Sequence, residues 1–301
     1  MTELRAPLAR RPITRDRIEN RFFGIARWVT IACLLIATIF PFFYMGLLSV
    51  RGLGDVLNNP GALWVAIGDL SFEAYTRALG PVADGGEGFL GFMRNSAVLA
   101  LGTVALTLAV SIPGSYAISR LKFFGRRQIS ALFLAVYLFP SILLAVPLFV
   151  FFTRVGLRGS LIAVLLVYVS QTVAVSIYML RNYFETIPVS LEEAAALDGA
   201  SRLGIMRRIS LPLAMPAIVA NGLFVFMAAW NEFLFALLFL VDDRDRWTVS
   251  LGLSQLTGNS IEVPTTVLMA ASVITTIPII IIFFASERLL TEGLTSGAEK
   301  G

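Results

Sequence analysis

Few side chains in this sequence could carry catalysis. The 301 residues include no histidine, which excludes histidine-based triads, histidine metal ligands and histidine proton relays. No Gly-x-x-x-x-Gly-Lys-Ser/Thr sequence occurs, so the chain lacks the P-loop that cradles a nucleotide. A membrane enzyme would need clustered acids near the membrane surface, and the candidates are Glu192, Glu193 and Asp198. We therefore predict a chain that is not an enzyme and that binds neither a metal nor a cofactor.

The segment from Ser190 to Pro212 has the pattern of two short helices and a bend. Ser190 followed three positions later by Glu193 is a capping-box pattern, which predicts the start of the first helix. Gly199 can adopt a left-handed backbone conformation and end that helix. The alanines form a shallow face that another protein's backbone could approach closely. The residues that we assign to this loop are Glu192, Glu193, Ala194, Ala195, Asp198, Gly199, Arg202, Ile209, Leu211 and Pro212.

One acidic residue, Glu232, lies inside a long apolar stretch. A charge in the hydrocarbon costs about 3 kcal/mol on insertion scales, which makes Glu232 a candidate for function. Two interpretations are open: a structural ion pair with Arg94, or a place in a transport pathway. An ion-coupled secondary transporter that uses Glu232 is the alternative function.

Polar residues in the same region give weaker signals. Asn221 and Asn231 are ten positions apart, so on one helix they face within about 80° of each other. They could line a polar channel, or they could link membrane helices by hydrogen bonds. Gln171 has the same two interpretations. Trp230 is predicted to be an anchor at the membrane interface rather than a platform for a sugar.

Six stretches are long and apolar enough to cross a membrane. Hydrophobic residues make up 57% of the chain and charged residues 15%, which leaves too little polar surface to cover a soluble globule. Because a crossing helix needs about 20 mostly apolar residues, we predict an all-α integral membrane protein. The predicted spans are 28–50, 92–119, 128–153, 159–181, 212–241 and 263–287, with the loop at 185–212.

The segments between the spans predict how the chain is oriented. With the N-terminus inside, 17 of the 24 Lys and Arg residues are cytoplasmic, which is the usual bias. Residues 1–26 and 291–301 are then cytoplasmic tails, and 27–290 is the membrane domain. The longest outer segment, 52–91, contains nine glycines, which argues against a compact domain there.

The loop pattern resembles a known motif. Glu193-Ala194-Ala195, followed at fixed spacing by Gly199, Ile209 and Leu211-Pro212, is similar to the EAA loop of ABC-importer permeases. The resemblance implies the type I importer permease fold with six transmembrane helices. It also implies that the loop docks into a cleft on an ATP-binding subunit, with Glu193 and Gly199 carrying the docking and the bend.

Further matches narrow the resemblance to sugar permeases of the maltose and trehalose type. They are Arg94-Asn95-Ser96, Trp230-Asn231-Glu232-Phe233 and the C-terminal run from Gly293 to Gly301. The resemblance implies a plasma-membrane chain that forms half of the pathway for a disaccharide, with Thr295, Ser296 and Gly297 reaching between the ATPase subunits. The implied partners are a second homologous permease subunit, two ATP-binding subunits that hold ATP and Mg, and an extracytoplasmic sugar-binding protein.

Overall fold

The computed structural model describes residues 15–258 and 263–298, with side chains described for 22–258 and 263–287. Within these ranges the chain is helical and contains no β-strand. The helices are α1 (Arg15–Ser49), α2 (Leu53–Asn58), α3 (Glu73–Leu79), α4 (Phe89–Arg120), α5 (Arg126–Leu138), α6 (Ile142–Arg154), α7 (Leu161–Thr186), α8 (Val189–Leu197), α9 (Arg202–Ile205), α10 (Leu211–Leu213), α11 (Met215–Trp230), α12 (Leu234–Leu240), α13 (Val249–Gly258) and α14 (Thr265–Ala298). A π-helical turn, Met206–Ser210, joins α9 to α10.

Four helices in the described part are individually long and apolar enough to cross a membrane. They are α4, α7, the Phe22–Ser49 part of α1 and the Thr265–Glu287 part of α14. Two further pairs reach that length only together: α5 with α6, bent by 97°, and the Arg202–Leu213 segment with α11, bent by 74°. Six crossings are therefore reached if each bent pair counts as one span.

Two of the predicted spans are interrupted in the structure. The span predicted at 128–153 divides at Pro140, and Phe139 before it is extended, with φ −77° and ψ 128°. A proline disfavours the helical conformation in the residue that precedes it, so the helix ends there. The span predicted at 212–241 divides between α11 and α12, at residues 231–233. Hydropathy is continuous across both breaks, which is why the sequence pattern does not show them.

The centre of the fold is the packing of α4 against α7. Fully buried Thr or Ser side chains recur every four residues on α4, at Thr103, Thr107, Ser111 and Ser115. Thr107 hydrogen-bonds Thr172 of α7 across 2.8 Å. An added Cβ at Gly102 would lie 3.2 Å from Leu165. Small side chains thus let the two helices approach closely, as is usual between membrane helices.

Before α4 begins, the glycine-rich segment 52–91 contains only short helices, α2 and α3, joined by turns. Its organiser is Arg51, whose side chain is fully buried. The guanidinium donates to Asp55 Oδ2 at 2.6 Å, to the Asn59 carbonyl at 2.8 Å and to the Ala62 carbonyl at 3.1 Å. The hydrogen bond from Arg51 lowers the pKa of Asp55, so this pairing stabilises the segment at neutral pH and is lost as pH falls through the lowered pKa.

Arg51→Gln should loosen this outer segment without unfolding the helices. Glutamine cannot reach the three acceptors together, and each charge-assisted hydrogen bond contributes about 1.5 kcal/mol or more. We expect hydrogen exchange at amides 53–62 to accelerate about ten-fold or more, with exchange in α4 and α7 unchanged. Arg77→Gln, in the same segment, is the control. Unchanged exchange at 53–62 would contradict the role assigned to Arg51.

Candidate functional site

The loop predicted to carry function forms an elbow of two helices. The first, α8, ends where Ala200 N donates to the Ala195 carbonyl at 3.0 Å and Gly199 N donates to the Ala196 carbonyl at 3.1 Å. Gly199 has φ 83°, so it adopts the left-handed conformation expected at the end of this helix. The second helix, α9, continues through the π-helical turn and α10, and then bends by 74° into α11.

The capping prediction for this loop was wrong in its position. Helix α8 begins at Val189, its N-cap is Pro188, and no side chain caps it. Ser190 therefore lies inside the first turn. Pro188 has a non-helical backbone, with φ −58° and ψ 126°, and the helical conformation begins directly after it, ahead of Ser190. The serine that does cap is Ser201, whose Oγ accepts from Gly204 N at 3.2 Å at the start of α9.

One face of the elbow is exposed and partly apolar. Leu197 is 89% exposed and Leu203 is 53% exposed. These two leucines were not among the residues assigned to the loop from the sequence. Of the residues that were assigned, those that are exposed are Glu193, Ala194, Asp198, Gly199, Arg202 and Pro212, while Ala195, Ile209 and Leu211 are half-buried. Two protruding leucines among alanines and charges form a surface that suits contact with another protein better than contact with water.

Glu192 points the opposite way, into the protein. Its Oε1 lies 3.0 Å from Arg120 Nε and accepts from Ser210 Oγ at 2.8 Å. Tyr116 donates to its Oε2 at 3.4 Å. Arg120 also donates to the Ile187 carbonyl at 2.7 Å. The carboxylate therefore ties α8 to the end of α4 and to the π-helical turn, and Arg120 ties the end of α4 to the α7–α8 junction.

Sequence reasoning missed the partners of Glu192. In the sequence analysis, Arg120 enters only as one of the cytoplasmic cations at the ends of the spans. Tyr116 and Ser210 were not identified as candidates. The signals that could have found them are an arginine at the boundary of a charge-free stretch and an acid next to the exposed Glu193. Neither pattern says which groups meet, because Arg120 and Glu192 are 72 positions apart.

An apolar cluster continues this connection towards the long helices. Its buried members are Tyr116, Leu180, Phe184, Ile187, Ala214 and Ile218. The rings of Tyr116 and Phe184 pack edge to face, with centroids 5.8 Å apart. The elbow is thus built onto α4, α7 and α11 by both charge and packing, and a force on it reaches all three helices.

Gln171 and Glu232, two of the four pathway candidates, line one small cavity. It has a volume of about 200 Å³ and is also lined by Ser141, Tyr168 and Thr172. The Glu232 carboxylate accepts from Phe235 N at 2.8 Å and from Ala236 N at 3.2 Å. It therefore caps the amino end of α12, where a negative charge is favoured.

The other candidates are elsewhere. Asn221 is fully buried, and neither of its amide atoms has a hydrogen-bond partner in the described part of the chain. Asn231 is exposed and donates to the Met227 carbonyl at 2.9 Å at the end of α11. Neither lines the cavity that contains Gln171 and Glu232.

One interpretation that the sequence left open, the ion pair of Arg94 with Glu232, and one prediction, for Trp230, do not hold in the structure. Arg94 forms no ion pair with Glu232; it lines a separate cavity of about 820 Å³ together with Phe226 and Trp230. Trp230 is 2% exposed and stacks on Phe226, so it packs in the core and is not an interface anchor. Its indole donates to the Thr275 carbonyl at 3.2 Å.

Two residues next to Arg94 hold the outer connection in place. Asn95 Nδ2 donates to the carbonyls of Asp245 and Trp247 at 2.8 and 3.0 Å. Ser96 Oγ accepts from Val249 N at 2.9 Å at the start of α13. The tail residues Thr295, Ser296 and Gly297 fall in the last turns of α14, and their side chains lie outside the described residues.

Comparison with known proteins gives one family. Residues 111–296 match the binding-protein-dependent transport system inner membrane component. The chain is 37% identical to the inner membrane ABC transporter permease protein YcjP of Escherichia coli, over 90% of this chain and 94% of that protein. It is also 37% identical to the trehalose/maltose transport system permease protein MalG of Thermococcus litoralis, over 95% of this chain and 99% of that protein.

A solved structure shares the fold. It is a bacterial ABC transporter involved in the import of the acidic polysaccharide alginate, and one of its chains superposes with a TM-score of 0.76 at 25% identity. The alignment covers 91% of this chain and 98% of that one. The two chains therefore share one fold over nine-tenths of this chain.

Proposed function

Because the chain belongs to the family of binding-protein-dependent transport system inner membrane components, we propose that it is the permease subunit of an ATP-driven sugar importer. It forms half of the pathway for a disaccharide of the trehalose or maltose type. The similarity to a trehalose/maltose permease along nearly its whole length supports this substrate class. In the proposed topology the chain crosses the membrane six times, with α5 and α6 as the third span and α11 and α12 as the fifth, and both termini are cytoplasmic.

The proposed partners are a second homologous permease subunit, two ATP-binding subunits and an extracytoplasmic sugar-binding protein. ATP and Mg are held by the ATP-binding subunits, and this chain binds no cofactor. ATP drives transport in such an assembly only by favouring one permease conformation over another. The elbow of α8 and α9 is the part of this chain that we assign to sensing the ATPase, with the tail residues Thr295, Ser296 and Gly297 as a second contact.

The observation that carries this proposal is the two-sided construction of the elbow. Its solvent-facing side exposes Glu193 and Leu197 for docking. On its buried side, Glu192 bonds to Arg120 and Ser210. A movement of the docked ATPase subunit therefore displaces α8 together with the end of α4. Breaking such a buried pair costs about 3–5 kcal/mol, so the connection is stiff compared with thermal energy.

Co-purification tests the proposal. The chain is tagged and purified with whatever accompanies it, and ATP hydrolysis by the complex is measured with and without the loaded sugar-binding protein. We expect ATP-binding subunits to accompany the chain and trehalose- or maltose-loaded binding protein to stimulate hydrolysis. A chain that purifies without ATP-binding subunits, or a complex that ignores every sugar-loaded binding protein, would refute it.

Glu232→Gln separates this function from an ion-coupled transporter. Glutamine keeps one acceptor for the amino end of α12 but cannot be protonated. The substitution loses one hydrogen bond, which costs about 1 kcal/mol. ATP-driven uptake should therefore fall by less than about ten-fold. Glu232→Leu, which removes the cap entirely, is the matched comparison. Uptake that needs no ATP and is abolished by Glu232→Gln would instead favour ion coupling.

A further inference from the structure

A basic cleft with exposed aromatic residues lies beside the elbow, at the turn between α4 and α5. It has a volume of about 600 Å³, and its lining includes Phe123, Phe124, Arg126, Arg127 and Arg181. We propose that this cleft binds the headgroup of an anionic phospholipid in the cytoplasmic leaflet. The inference rests on the orientation given under the proposed function.

The position of the cleft is fixed by contacts to α7. Arg126 donates to the Ser119 carbonyl at 3.1 Å and lies 3.7 Å from Glu185. Arg181 lies 2.9 Å from the same carboxylate. Glu185 is at the end of α7, just before the elbow begins. The cleft is therefore on the same side of the membrane as α8.

The charge of the cleft is not balanced by the protein. Glu185 is shared by Arg126 and Arg181. Arg127, which lines the cleft, and Lys122, which directly precedes the lining in the chain, are exposed and form no ion pair with any residue whose side chain the structure describes. Arg126 and Arg127 also lie in the first turn of α5, where the helix dipole is positive and disfavours cations. An anion in the cleft relieves both repulsions.

The exposed rings indicate a membrane lipid rather than a free anion. Phe124 is 101% exposed and Phe123 is 39% exposed, directly beside the cations. Such a turn between two membrane helices puts aromatic rings at the level of the lipid headgroups, which is where they are favoured. The helix that follows, α5, has no buried residue within the chain. Basic clefts between helices at the cytoplasmic boundary suit phosphate headgroups.

For the test, the purified complex is exchanged into nanodiscs that contain phosphatidylglycerol and phosphatidylcholine. The phosphatidylglycerol that stays bound is then measured by native mass spectrometry. The variant is Lys122→Gln with Arg127→Gln, and the matched control is Arg154→Gln, an exposed arginine at the end of α6. We expect phosphatidylglycerol binding to weaken roughly thirty-fold in the double variant, since each basic residue near an anionic lipid contributes about five-fold. The control should bind like the wild type.

Three results would overturn this inference. The first is equal phosphatidylglycerol binding by the double variant and the wild type. The second is displacement of the lipid by excess inorganic phosphate. The third is loss of an ATP-binding subunit from the double variant with lipid binding unchanged. ATP-driven uptake is measured in parallel. Equal phosphatidylglycerol binding by the double variant and the wild type, with intact uptake, defeats only the lipid site. A wild-type complex that binds the lipid but shows no ATP-driven uptake defeats only the proposed function.

Discussion

Glu192→Ala should uncouple ATP hydrolysis from sugar uptake while leaving the chain inserted in the membrane. The substitution leaves the Arg120 guanidinium without its carboxylate, and both side chains are close to nine-tenths buried. An unpaired charge in such a place costs about 3–5 kcal/mol. The elbow should then detach from α4, and hydrogen exchange at amides 187–213 should accelerate by about a hundred-fold or more.

Two comparisons make this result specific. Glu193→Ala removes the neighbouring acid, which is exposed, so it should leave hydrogen exchange unchanged and weaken only docking. Arg120→Met combined with Glu192→Leu replaces the buried pair by apolar side chains, which is often neutral or stabilising, so the double variant should recover protection of the elbow. Equal exchange in Glu192→Ala and Glu193→Ala would contradict the anchoring role.

Gly199→Val should leave the permease folded and lower sugar uptake per ATP hydrolysed by about ten-fold. Valine at φ 83° is strained by about 1–2 kcal/mol or more, although its Cβ would meet no neighbouring atom within 4 Å. The strain therefore acts on the backbone alone. The bend between α8 and α9 relaxes, and the two helices no longer present one surface.

The control at this position is Gly199→Asn. Asparagine tolerates the left-handed conformation far better than a β-branched residue does, so it should keep most of the coupling. Both variants are compared in reconstituted vesicles, where uptake and hydrolysis are measured on the same sample. Normal uptake by Gly199→Val, or equal losses in the two variants, would show that the left-handed bend is not required.

The sequence predicts much of this fold because hydropathy and turn chemistry are local properties. Charge-free stretches of about 20 residues predict the long helices, and the elbow follows from Gly199 and from the alanines of α8. Averaging hydropathy over a window does not detect the helix breaks at Pro140 and at residues 231–233, because these breaks depend on the backbone conformation of single residues. The start of α8 at Val189, ahead of the predicted cap Ser190, also depends on the backbone of a single residue, Pro188.

The parts that sequence does not predict are tertiary pairings. Arg120 pairs with Glu192, and Arg51 donates hydrogen bonds to carbonyls of the segment that follows it. Neither set of contacts produces a periodic pattern in the sequence. Glu232 shows how a correct signal can receive an incomplete interpretation. An acid in an apolar stretch needs a partner, and here the partners are backbone amides of α12 rather than Arg94.

Cysteine cross-linking of the elbow tests the central claim most directly. In a Cys33→Ala background, Leu197→Cys on α8 is compared with Trp64→Cys in the outer segment, where Trp64 is 80% exposed. A short bifunctional reagent should join the cysteine at 197 to an ATP-binding subunit and leave the cysteine at 64 unjoined to it. If position 197 reacts only with reagents confined to the outside, or reaches no ATP-binding subunit, the elbow is not the coupling site.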